Sequence, residues 1–129
     1  MGKPILCLDF DGVLHSYTSA WQGAEVVADE PVPGAMDFLQ RAVQCFDVCI
    51  VSSRSLDPGG RRAMSLALLD WLEVAFGADE GDRIHGQLRF PEHKPPAFLS
   101  IDDRALQFTG TFPDPASLLG FQPWNRRGV

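Results

Sequence analysis

The sequence predicts an α/β fold, a Rossmann-like three-layer sandwich around a central, mainly parallel sheet. Three observations carry that expectation. Short apolar runs at residues 4–8, 47–51 and 98–101 each end in polar residues, the pattern of strands covered on both faces rather than half exposed. Stretches of helical periodicity follow the first two runs. The chain has 129 residues, which is room for one domain, 1–129, able to bury a core without disulfides or a structural metal. Strands alternating with helices imply a parallel sheet with helices on both faces.

Taken in order, residues 4–8 form the first strand. Residues 12–31 are mixed in character, with Ser, Thr, Gly and Trp21, and read as a long loop or small hairpin that overhangs something. Pro33-Gly34 opens a helix whose Met36, Leu39, Val43 and Phe46 recur at spacings of three and four. Residues 47–51 are the second strand, and Asp57-Pro-Gly-Gly60 marks a break. Residues 61–76 carry Met64, Leu68, Leu72 and Ala75 on one helical stripe, with Gly77 as its stop. Residues 78–83 read as a charged loop and 84–90 as a brief edge strand, while Pro91, Pro95 and Pro96 forbid regular structure nearby. Residues 98–101 are the third buried run, and 114–119 a short final helix.

Composition narrows the function. With 45% hydrophobic and 22% charged residues the chain falls outside the range of disordered proteins. A formal charge of −6 leaves no broad basic surface for nucleic acid. No run approaches the roughly 18 apolar residues of a membrane span. The apolar start meets Asp9 before a signal-peptide core is complete, and Leu6 stands where a myristoylation signal has Ser or Thr. Cys7, Cys45 and Cys49 form no Cys-x-x-Cys pair, and Cys7 and Cys49 lie in apolar runs as core side chains. These features imply a soluble, reduced, cytoplasmic protein.

The three runs end in Asp9-Phe-Asp11-Gly12, Ser52-Ser53-Arg54 and Asp102-Asp103-Arg104. In open parallel sheets the ligand crevice lies beyond the carboxyl ends of the strands, so these clusters are expected to share one cleft. Carboxylates gathered there repel by about 4 kcal/mol per pair at about 4 Å and a dielectric near 20. A cation compensates, and oxygen-only ligands without His or Cys suit Mg2+. Lys94 adds a positive charge. Together these parts suit phosphoryl transfer, which depends on positioning and charge neutralisation.

Asp9-Phe-Asp-Gly-Val-Leu14, the Ser after Val51, Lys94 and Asp102-Asp103 resemble, in order, the four motifs of the haloacid dehalogenase (HAD) superfamily. The resemblance covers nearly the whole domain. It implies a HAD-like fold and a magnesium-dependent phosphomonoester hydrolase in which Asp9 attacks phosphorus and forms an aspartyl phosphate. Asp11 would be general acid, then base. The metal would be held by the Asp9 side chain, the Asp11 backbone carbonyl and Asp102, with Asp103 a more distant or water-mediated partner. Ser52, or alternatively Ser53, would hold the phosphate, and Lys94 would neutralise Asp9 and the transferred group. Lys94 lies only eight positions before Asp102, so a short loop must bring it back over the site.

No cap domain fits between Asp11 and Ser52 or between Arg54 and His93. An uncapped cleft implies a phosphorylated substrate that can be large, and leaves oligomerisation open, with a neighbouring subunit as lid. Arg54 and Arg104, next to the motifs, are candidates for a basic rim that contacts substrate; Arg61 and Arg62 read as solvated charges. Trp21 reads as a loop anchor, with Phe121 and Trp124 as packing residues. His15, His85 and His93 read as packing or surface residues, and Asp47 and Asp57 as caps or turn residues. The alternative function is a regulatory or non-catalytic module that binds metal or phosphate. A receiver domain of two-component signalling would place its acid pair first and its phosphoacceptor later, which is the wrong order for this chain.

Overall fold

The computed structural model describes residues 2–126. Its elements run β1 (Ile5–Leu8), α1 (Ala35–Cys45), β2 (Asp47–Ile50), α2 (Pro58–Phe76), α3 (Ala78–His85), β3 (Leu88–Arg89) and β4 (Leu99–Ile101). Short 3₁₀ helices follow at Pro115–Gly120 and Trp124–Arg126. The result is an α/β protein with a four-stranded, all-parallel sheet in the order β3-β2-β1-β4, flanked by helices.

That order positions the site. The chain steps from β1 through β2 to β3 in one direction, then returns across β1 to lay down β4 on its far side. Where the direction reverses, the loops leaving neighbouring strands part and open a crevice. β1 and β4 are neighbours at that point, with Leu8 paired to Ile101, so the residues just beyond them face each other.

The core explains the helices. Leu6, Leu8, Val48 and Ile50 of the sheet join Leu39 and Val43 of α1, Met64, Leu68 and Leu72 of α2, and Ile84 of α3 in one buried cluster. The stripe expected for the first helix is thus the face it buries, with Phe46 packed at its end. Strand side chains alternate in direction, so Cys7 and Cys49, also buried but outside the cluster, face the other way. Right-handed crossovers made in one direction set α1 and α2 on the same side. The return from β3 to β4, residues 90–98, contains no helix.

Four local expectations differ from what is found. The second long helix begins at Pro58 rather than Arg61: Asp57 caps it, accepting from the Gly59 N–H at 3.0 Å, and Pro58 fits a first turn that needs no N–H donor. Residues 78–85 are helical rather than loop. Asp79 and Glu80 sit in the first turn and Arg83 and His85 in the last, as the helix dipole favours, and only Ile84 is a buried large apolar side chain. The third apolar run is not buried: Phe98 is 73% and Leu99 53% exposed, on and just before the edge strand β4. Asp47 caps nothing and pairs instead with Arg89. The final short helix is a 3₁₀ turn capped by Asp114. No helix among the described residues is long and apolar enough to cross a membrane.

Candidate functional site

Asp9 continues the ladder out of β1, donating its N–H to the Ile101 carbonyl at 3.0 Å. Its carboxylate accepts the Phe10 N–H at 2.9 Å. Asp102 and Asp103 leave β4 on the adjacent track. Asp9, Asp102 and Asp103 each offer a carboxylate oxygen, and those oxygens lie within 4.8 Å of one another. Gly12 makes this close approach feasible: it adopts φ +84°, and a Cβ there would collide with the Asp103 carboxylate.

Electrostatics make the cluster uncomfortable as it stands. Burial, then the adjoining Asp103 carboxyl and the charge of Asp102, push Asp9 up to about 8, with only the Phe10 N–H opposing. Asp103 Oδ1 is buried and has no hydrogen-bond partner. A buried oxygen without a partner beside two more acidic side chains, with no His or Cys among them, fits a hard divalent cation such as Mg2+. Asp9, Asp102 and Asp103 are the residues whose side chains would hold it.

The side chain of Asp11 belongs to a different constellation. Its Oδ2 accepts from Arg54 Nε at 2.9 Å and its Oδ1 from Arg54 Nη2 at 3.1 Å. His15 Nδ1 reaches the same Oδ1 at 2.9 Å. The Asp29 N–H donates to His15 Nε2 at 3.0 Å, so that nitrogen carries no proton and Nδ1 is the donor to Asp11. Burial alone would raise the Asp11 carboxyl; His15 and the Arg54 guanidinium outweigh it and hold the group below its ordinary range.

Arg54 is therefore not a rim residue. It is 1% exposed, and its Nη1 is spent on the carbonyls of Ala24 at 2.8 Å and Val26 at 2.9 Å. The signal that separates a buried Arg from a rim Arg is the direction of its side chain, which adjacency to a motif does not reveal. His15 is likewise 1% exposed and engaged with Asp11; its spacing of four from Asp11 was the available sign.

Several of the remaining expected residues share a cavity. Asp9, Ser52, Ser53, Lys94 and Asp102 line one of about 240 Å³, which puts Lys94 on the same cavity wall as two of the acids. The Ser52 hydroxyl accepts the Arg54 N–H at 2.9 Å and faces the Met64 sulfur, while Ser53 is exposed. Asp9, Asp11, Ser53, Asp102 and Asp103 also line an adjoining cavity of about 350 Å³, whose other walls are Tyr17 and Arg104. Tyr17, not singled out from sequence, has a left-handed backbone at φ 60°. His85 bonds Ser65 and His93 is exposed, and neither lines the cavities that hold the acids. Trp21 is half exposed, its ring 5.2 Å from the Arg54 guanidinium carbon. An apolar groove of about 230 Å³ between α1 and β4, with Val32, Phe38 and Ile101, carries no group suited to chemistry.

No family model, no curated protein and no solved structure matches this chain.

Proposed function

We propose that the chain is a magnesium-dependent phosphomonoester hydrolase of the HAD kind, working through an aspartyl phosphate on Asp9. One observation carries the reading: Asp9, Asp102 and Asp103 crowd at the β1/β4 crevice with Asp9 pushed up to about 8 and Asp103 Oδ1 buried without a partner. Magnesium, when bound, supplies charge neutralisation for the three carboxylates and for the transferred phosphoryl oxygens.

An Asp9 carboxylate oxygen forms the new bond to phosphorus as the ester P–O bond breaks, and the leaving oxygen takes up a proton. Water then attacks the acyl phosphate, releasing inorganic phosphate and restoring Asp9. The proton on the leaving oxygen comes from solvent, and Asp11 serves the second transfer. Paired with Arg54 it is a carboxylate, the form that accepts the proton of the hydrolytic water. Lys94 supplies positive charge at the cavity wall, and Ser53, exposed in both cavities, is better placed than Ser52 to donate to a phosphoryl oxygen. Among the described residues no cap segment covers the cleft, which leaves room for a large substrate.

The direct test is phosphate release from 4-nitrophenyl phosphate. The wild type should need a divalent cation, and Asp9→Asn should be inactive; full activity in Asp9→Asn overturns the reading. A second reading, a metal-binding module without turnover, draws on the engagement of both Asp11 oxygens. It is favoured if calorimetry detects magnesium binding while a broad panel of phosphate esters stays intact.

A further inference from the structure

Arg54 lies outside the acid cluster, and no step above uses it directly. Yet its side chain is buried to 1% exposure, and a guanidinium is costly to bury unless its donors are met. Two distant parts of the chain meet them. Nε and Nη2 grip both oxygens of Asp11, at 2.9 and 3.1 Å, on the loop leaving β1. Nη1 reaches the carbonyls of Ala24 and Val26 at 2.8 and 2.9 Å, in the loop that follows Tyr17. The rings of Phe10 and Trp21 stand 5.7 and 5.2 Å from the guanidinium carbon and shield it from water. The same loop is pinned again where Asp29 donates to His15 Nε2, and His15 returns to Asp11 through Nδ1. Asp11, Arg54, the 17–30 loop and His15 thus close one circuit.

We infer that Arg54 is a positioning residue that locks the 17–30 loop to the Asp11 carboxylate. The loop is then a fixed wall of the Asp9 cleft, and Asp11 is aimed by that wall. Tyr17, at the start of the loop, lines the cleft beside Asp9 and Asp11, so movement of the loop would reshape the cavity. Lysine cannot substitute: one ammonium cannot fork onto a carboxylate and also reach the loop carbonyls. The anchoring stands on geometry; its effect on turnover rests on the phosphatase reading.

Amide hydrogen exchange of the full chain, read by mass spectrometry, tests the anchoring without reference to activity. In Arg54→Lys, residues 17–30 should exchange at least about tenfold faster while β1, β2 and α1 keep their wild-type protection. If that variant fails to fold, the Arg54 Nε–H of the wild type decides by NMR: it should exchange with water far more slowly than that of exposed Arg62. In magnesium with 4-nitrophenyl phosphate, Arg54→Lys should lose on the order of 100-fold in kcat with KM within about threefold, and methylguanidine should restore part of the rate to Arg54→Ala. Wild-type loop exchange in a folded Arg54→Lys, or an Arg54 Nε–H as labile as that of Arg62, overturns the inference. A wild type without phosphatase activity would sink the function reading, yet leave the exchange result to decide on Arg54.

Discussion

The indole N–H of Trp124 donates to the backbone carbonyl of Gly12 at 2.6 Å, joining positions 112 residues apart. Next to it, Asn125 Nδ2 donates to the Ser16 carbonyl at 2.9 Å. The 3₁₀ turn at Trp124–Arg126 therefore clasps both sides of the loop that carries Gly12 and His15. Gly12 has little room to shift, since the Asp103 carboxylate occupies the space where a Cβ would stand. A residue read from sequence as packing thus reaches the acid cluster through one glycine.

Replacing Trp124 with Phe keeps the ring and removes the N–H donor. Loss of that hydrogen bond should cost about 1 kcal/mol of stability, measured as a lower urea midpoint at unchanged slope. An unchanged midpoint would show that the clasp contributes nothing.

Asp9 contributes to the pH dependence of the metal-free protein. Its folded-state pKa is raised to about 8, so the folded protein binds the proton more tightly than the unfolded chain does. The stability from this group is complete below the ordinary carboxylate range and is lost as pH rises toward about 8, by up to roughly 1.4 kcal/mol per pH unit. Asp11, held low, acts in the opposite sense, but its contribution is lost only at more acidic pH, below the ordinary carboxylate value. Thermal melts in chelator should therefore show a lower Tm at pH 8 than at pH 5. Millimolar magnesium should flatten the trend, and so should Asp9→Asn. A metal-free Tm that rises across the same window would contradict the electrostatics.

The Arg54 fork has a consequence for substrate preference. At neutral pH Asp11 holds no proton to give, so on the proposed phosphatase reading the leaving oxygen would depart with little assistance in the first step. Esters of acidic phenols should outpace simple alkyl phosphates by on the order of 10²-fold or more in kcat/KM. A leaving-group series gives the answer directly; rates indifferent to leaving-group acidity would mean that Asp11 is protonated during turnover.

Much of this was legible in the sequence, for physical reasons that differ by element. β1, β2 and α1 bury one continuous face, so apolar runs and stripes such as Met36, Leu39 and Val43 report them well. α3 escaped because caps and charges hold it, with Ile84 its only large core side chain, which leaves no periodicity to read. The exposure of Phe98 and Leu99 escaped because an apolar run reports β-propensity, while its covering layer is set by a crossover elsewhere. At the site, acids placed after strands were readable since strand ends converge. The partners of Asp11 were not: Arg54 and His15 are buried by contacts with the 17–30 loop, which has no regular periodicity.

The central claim is that Asp9, gathered with Asp102 and Asp103, captures phosphorus. Its most direct test is to quench the protein in acid during incubation with a phosphorus-labelled ester in magnesium, then digest it and map the label. The label should sit on the peptide containing Asp9, be released by hydroxylamine, and be missing when magnesium is chelated. Turnover with the label on another residue, or with no covalent label at all, would contradict the account.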